Sequence, residues 1–260
     1  MSNKHIHLIY FSPTHTSVKI AHAVAKGLNA GEITEWDVTH GTETETVLIE
    51  DGIAIMAAPV YGGRVAEKAV ERLRIFKAKG IPVIPVVLYG NRDYEDALKE
   101  LCDLATEQGF IPVAGGAFIG EHSFSRKNMP IAEGRPDSED LSKAIQFGKD
   151  VLEKLEKRDL SEIPSLTVKG NFPYKVKGPS TPQAPVTDEI LCTQCEYCME
   201  VCPTEAISVA ENGMESDPAL CIKCCVCVKE CPESARTFDT PFTAMLHTNF
   251  SARKEPEVFL

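Results

Sequence analysis

The sequence predicts an α/β protein: a doubly wound, five-stranded parallel sheet followed by a small α+β domain built around cysteine. Three observations carry this. Over residues 1–157, short apolar runs alternate with amphipathic stretches of helical period, the pattern of parallel strands joined by crossover helices. Nine of the ten cysteines fall between Cys192 and Cys231. The stretch 158–185 between these regions carries Pro164, Pro173, Pro179, Pro182 and Pro185 and reads as an extended linker laid over a surface.

Residues 5–12 form an apolar-rich run that ends in small polar residues, as a buried parallel strand does. A helix follows: Val18, Ala21, Val24, Ala25 and Leu28 recur at three- and four-residue spacing, Thr16 or Ser17 serves as N-cap, and Gly31 lies just beyond the end. Residues 33–38 and 52–58 read as the second and third strands, and the polar link between them has room for an irregular or one-turn helix. Residues 65–79 are helical by pattern, with Val65, Ala69, Leu73 and Phe76 near one face. Residues 82–89 form a fourth strand, 93–108 a helix and 111–119 a fifth strand. Cys102, among Leu98, Leu101 and Ala105, is a small core residue. A capped amphipathic helix over 138–157 closes the series.

Ligands of such sheets bind outside the carboxyl ends of the strands, at the switch in strand order. Three loops end there: SPTHTS at 12–17, PVYGGR at 59–64 and YGNRDY at 89–94. In the first, Ser12, Thr14, Thr16 and Ser17 surround the start of a helix, whose unpaired N–H groups and positive dipole end attract phosphate without a lysine. Taken singly, the glycines are also ordinary turn residues and the tyrosines also core or rim aromatics. Together the three loops resemble the FMN site of flavodoxins, a resemblance that covers residues 1–157. It implies an FMN whose phosphate is held by Ser12, Thr14, Thr16 and Ser17. Pro59, Val60, Tyr61, Gly62 and Gly63 would flank its ring, and Tyr89, Gly90, Asn91, Arg92 and Tyr94 would close the other side. It also implies a mobile peptide at Gly62 that turns its carbonyl toward flavin N5 when the flavin takes up a proton. The family pattern T/S-x-T-G-x-T has glycine where this chain has His15, at a position that calls for close approach or positive φ. His15 there is either a cationic donor to the phosphate or a solvated side chain.

The cysteines form two runs, CTQCEYCMEVCP and CIKCCVCVKECP, each spaced C-x2-C-x2-C-x3-C-P and related by an offset of 29 residues. Thiolates are soft ligands suited to iron–sulfur clusters. Structural zinc is the competing use, yet zinc requires neither a third evenly spaced cysteine nor a trailing proline. Residues 186–239 resemble a bacterial two-[4Fe-4S] ferredoxin domain, in which the fourth cysteine of each run serves the other cluster. The resemblance implies one cluster on Cys192, Cys195, Cys198 and Cys231 and a second on Cys221, Cys224, Cys227 and Cys202. Cys225, whose counterpart is Glu196, is a buried bystander thiol or an alternative ligand.

The formal charge is −11, which argues against nucleic acid as a partner. From Val186 to Leu260 there are 13 acidic and 5 basic residues. That excess either steers the chain toward redox proteins with basic docking patches or keeps it soluble. No apolar run suits membrane insertion, and a cytoplasmic, reducing compartment is expected. The loop 120–136, GEHSFSRKNMPIAEGRP, is long enough to be functional: His122, Phe124 and Arg126 could cover the flavin, meet the second domain, or form a surface excursion. The tail 240–260 is apolar enough to pack back on a domain.

The whole resembles the flavodoxin–ferredoxin fusions of anaerobic microbes. That implies an electron-transfer protein relaying low-potential electrons between two [4Fe-4S] clusters and FMN, coupling one-electron and two-electron partners. The alternative is an FMN-dependent reductase of a small molecule fed by its own clusters. No catalytic nucleophile or general base stands out, which favours a carrier; the sequence leaves the oligomeric state open.

Overall fold

The computed structural model describes residues 4–41, 45–178, 181–211 and 213–260. Five parallel strands make the main sheet: β1 (Lys4–Tyr10), β2 (Ala30–Asp37), β3 (Ile53–Tyr61), β4 (Ile81–Tyr89) and β5 (Gly115–Ile119). Their spatial order is β2-β1-β3-β4-β5, so the chain reverses direction across the sheet at β1 and β3. This is the flavodoxin-like order of a doubly wound α/β fold.

Alternation along each strand sends side chains to two separate cores. From β3, Ala54, Met56 and Ala58 enter one core while Ile53, Ile55 and Ala57 enter the other. The first face is covered by α2 (Glu67–Leu73) and α3 (Ala97–Glu107), the second by α1 (Thr16–Gly27) and α4 (Ser138–Lys157). Where α1 crosses α4, glycine is required by contact: a Cβ on Gly27 would lie 2.1 Å from Ile145 O, and one on Gly148 2.2 Å from Val24 O. Cys102 is buried on α3 as expected, and burial pushes its thiol up to about 12.

The fold departs from the sequence reading in three places. The expected helix over 65–79 ends at Leu73, and Phe76–Ala78 is instead a short strand parallel to Val47–Ile49. The buried Gln108 amide donates to the carbonyls of Leu73 and Phe76, satisfying the helix end that sequence periodicity alone would have continued. The link between β2 and β3 therefore contributes a strand where a helical turn was expected; residues 42–44 lie outside the described ones. The single strand over 111–119 is two pieces, Phe110–Pro112 and Gly115–Ile119, both parallel to β4. Pro112 has no N–H for the ladder, which interrupts it there.

After α4 the described residues run along α3 up to the cysteine segment and form no strand. The Asp96 carboxylate accepts from the backbone N–H of Asn171 (2.8 Å) and Lys175 (2.7 Å), and Tyr174 donates to Asp103 (2.6 Å). Beyond that segment come α7 (Pro241–Phe250) and β6 (Glu257–Phe259), which pairs antiparallel with β5 and covers the sheet edge. No helix among the described residues is long and apolar enough to cross a membrane.

Candidate functional site

The cysteine segment is built as two copies that exchange parts. In each copy an aspartate opens a turn: the Asp188 carboxylate accepts from Ile190 N (2.9 Å), and that of Asp217 from Ala219 N (2.7 Å). Their carbonyls accept from Cys192 N and Cys221 N, both at 3.0 Å. Residues of positive φ then flank the second cysteine of each run, Gln194 and Glu196 in the first, Lys223 and Cys225 in the second. These reversals curl the loop so that its thiols converge instead of alternating. One-turn helices follow, α5 (Tyr197–Glu200) and α6 (Val226–Lys229). The exchange is in the backbone: Asp188 N donates to Ala235 O and Asp217 N to Ala206 O, each at 2.8 Å, so each copy closes on the end of the other.

That exchange carries the fourth cysteines across. Cys231 lines one cavity together with Cys192, Cys195 and Cys198. Cys202 is instead an electrostatic neighbour of Cys221, Cys224 and Cys227. Backbone N–H groups point at sulfur at equivalent places, Ala206 N to Cys202 Sγ and Ala235 N to Cys231 Sγ, both 3.3 Å. Burial pushes the free thiols of Cys198, Cys221, Cys224 and Cys227 up, the last to about 11, a cost relieved when metal takes the thiolate. Two groups of four soft donors with N–H groups aimed at sulfur fit iron–sulfur cubanes.

One residue of this site escaped the sequence reading. Arg236 is 3% exposed, donates to Thr187 Oγ1 (2.7 Å) and Met214 O (3.1 Å), and places Nη2 3.8 Å from Cys227 Sγ. It also lines the cavity of the other four cysteines, so one buried cation serves both groups. The signal was present as a break in the repeat, because the residue 29 positions earlier is Ile207.

At the carboxyl ends of the main strands, the 12–17 loop fits a phosphate. His15 adopts φ 59, the left-handed region its position called for, at the N-cap of α1. The Ser17 hydroxyl is buried without a partner, an unmet polar group of the kind an anion satisfies. Ser12 pins the loop: its hydroxyl accepts from Val18 N (3.2 Å) and its N–H donates to Thr39 (2.8 Å). Thr14 and Thr16 are half-buried beside it.

In the second loop Pro59, Val60 and Tyr61 are the half-buried end of β3, and Gly62 and Gly63 have φ 66 and 83. A Cβ on Gly63 would collide with the Glu95 carboxylate, whereas Gly62 meets only Lys177 at 4.0 Å. Tyr61 hydrogen-bonds to Ser123 and has Cys221, Cys224 and Cys225 as electrostatic neighbours; burial first, and these thiols next, push its hydroxyl pKa well up.

The third loop corrects an expectation. Tyr89 and Tyr94 are core side chains, 4% and 1% exposed, with ring centroids 5.4 Å apart, and Tyr94 donates to Glu257 (2.6 Å). Asn91 is also buried, and its amide donates to Ala252 O (2.6 Å) and Phe250 O. The chain's own tail claims Asn91 and Tyr94, and Tyr89 packs on Tyr94. His122 packs where a Gly90 Cβ would go.

The two halves meet over these loops. His15 Nε2 is 2.8 Å from Glu230, Arg72 donates to Pro203 O (2.6 Å), and Lys229 pairs with Glu121 (2.5 Å). Of the uses open to the 120–136 loop, the structure shows contact with the cysteine segment: Arg126 pairs with Asp239, and Phe124 stacks on Phe238 (5.2 Å) and Phe242 (6.3 Å).

Residues 185–208, which span the first cysteine run, match the 4Fe-4S binding domain family. The chain joins a sheet of flavodoxin-like strand order to a segment that resembles the 4Fe-4S binding domain family. No curated protein sequence matches this fusion. Solved structures similar to it include a flavodoxin from the domain Archaea, 14% identical, covering 58% of this chain and 99% of that one with a TM-score of 0.37. Flavodoxin 1 from Bacillus cereus is 15% identical over 57% of this chain and 97% of its own, with a TM-score of 0.40. A flavodoxin of Fusobacterium nucleatum with bound flavin mononucleotide is 18% identical over 58% and 96%, with a TM-score of 0.38.

Proposed function

We propose that this fusion is an electron-transfer protein holding two [4Fe-4S] clusters and FMN, which relays low-potential electrons between one-electron and two-electron partners. The first cluster is assigned to Cys192, Cys195, Cys198 and Cys231, and the second to Cys221, Cys224, Cys227 and Cys202. The supporting observation is the seating of the cysteine segment directly over the phosphate and Tyr61 loops, with Glu230 on His15 and three thiols beside Tyr61. Redox centres held this way exchange electrons within one chain without waiting for encounter.

When bound, clusters supply single-electron steps and a flavin supplies one- or two-electron steps. The chain's own residues hold and shield these centres. Ser17 and the start of α1 would bind the phosphate, and Arg236 would offset the charge gathered on the thiolates. His122 and Phe124 close the seam against water: the Phe124 N–H donates to His122 Nδ1 (3.0 Å), and burial, followed by the charges of Lys229 and Arg92, lowers the His122 pKa to about 4. Arg126 is engaged with Asp239 across the halves, and His122 packs on Phe124 and over Gly90, which favours a carrier over a reductase using them on a substrate. The assignment is tested by anaerobic purification with a visible spectrum and counts of iron, sulfide and flavin. The expected content is about eight iron, about eight sulfide and about one FMN per chain; zinc without sulfide, or no FMN, would refute it.

A further inference from the structure

The two runs have the same spacing, so each is a control for the other, and they differ where they should not if both copies had equal surroundings. Glu196 and Tyr197 of the first run correspond to Cys225 and Val226 of the second. Cys195, Glu196 and Tyr197 are all exposed, whereas Cys224, Cys225 and Val226 are all buried. Ile222 packs against the core of the α/β half, and Cys221, Cys224 and Cys225 neighbour Tyr61. The extra cysteine is therefore a small residue at the junction of the halves, where a glutamate could not be desolvated.

The first run looks outward over a surface of one sign. Between Val186 and Ile222 there are eight acidic residues and no lysine or arginine. Ile190 and Leu191 are 95% and 49% exposed among them, apolar side chains amid acidic ones, as docking faces have. Of the later cations in the cysteine segment, Lys223 and Lys229 belong to the second run, the first donating to Thr181 O and the second paired with Glu121, and Arg236 is buried.

We infer that the cluster sites are ordered: that of Cys221, Cys224, Cys227 and Cys202 is the inner one, against the flavin loops. That of Cys192, Cys195, Cys198 and Cys231 is the outer one, and its face docks a redox protein bearing a lysine- or arginine-rich patch. The inference rests on the relay reading above. One electron crosses this face at a time, the partner protein being oxidised or reduced by the same electron, and no proton is required there.

The test uses anaerobically isolated protein with iron, sulfide and FMN counted first. With both cluster sites reduced, the EPR signal of the flavin radical relaxes fast because a paramagnet lies close by. Fast relaxation is expected to be lost in Cys224→Ser and kept in Cys195→Ser; the opposite order, or equal loss, overturns the inference. A second arm leaves every cysteine intact. Glu189→Lys with Glu196→Lys is expected to slow reduction of cytochrome c, a basic redox protein, by about five- to tenfold at low salt. Glu32→Lys with Glu50→Lys, on the far half, changes it less than about twofold; equal slowing from both faces overturns the docking claim. Absence of FMN, or iron for one cluster only, overturns the relay reading itself and is seen in the counts before either arm is run.

Discussion

Arg236→Met removes a buried cation that touches both cysteine groups. Its Nη2 lies 3.8 Å from Cys227 Sγ, and an electron added to a cluster spreads over the metal cage beyond that sulfur. Taking roughly 6 Å as the effective separation and about 20 as the effective dielectric, the lost attraction is about 3 kcal/mol, or roughly 120 mV for one electron. Relaxation and water entry reduce this, so a fall of about 50–120 mV is expected. The sign follows from charge: the guanidinium favours the reduced, more negative cluster, so its loss makes reduction harder. Arg236→Lys, which keeps the charge, should recover about half of the shift. Met also removes the donor to Thr187 Oγ1, while Met214 O keeps the Thr187 hydroxyl, so stability should fall by about 1–3 kcal/mol. The assay is an anaerobic redox titration followed by EPR on variants with wild-type iron content. A potential that is unchanged or higher in Arg236→Met would refute the reasoning.

Three other outcomes are expected. Gly148→Ala forces a Cβ to 2.2 Å from Val24 O, and the α1–α4 crossing should lose about 1–3 kcal/mol in chemical denaturation. Gly62→Val places a branched side chain at φ 66, costing about 1–2 kcal/mol of backbone strain, and should change the gap between the two flavin reduction potentials; an unchanged gap would sink the switching role of this peptide. His122 is held neutral to about pH 4, below its ordinary value. The unfolded chain therefore takes up this proton first, and stability should fall as pH drops from about 6.5 toward 4, by no more than about 3 kcal/mol, with His122→Gln flattening that slope.

What the sequence made legible was whatever is local or repeated. Four of the five strands, β1, β3, β4 and β5, could be read because each is a short apolar run buried on both faces, and the cysteine groups because their spacing occurs twice; β2 is largely exposed at the sheet edge. His15 was legible as an anomaly, and the backbone there does adopt the positive φ that a glycine would take freely. What could not be read depends on distant partners. The helix after β3 stops at Leu73 because Gln108, on another element, caps it. Asn91 and Tyr94 looked like ligand contacts because nothing nearby in sequence shows that residues 250–257 bond to them, and Tyr89 packs on Tyr94. Arg236 and Cys225 were marked in the sequence only as departures from the repeat, and their meaning came from seeing that one lies between the cysteine groups and the other at the seam.

Transfer between clusters and flavin held on one chain is checked by flash reduction of the clusters, with flavin absorbance followed at several protein concentrations. The expected rate is first order and does not change with protein concentration; a rate proportional to concentration, showing transfer between separate molecules, would refute intramolecular relay.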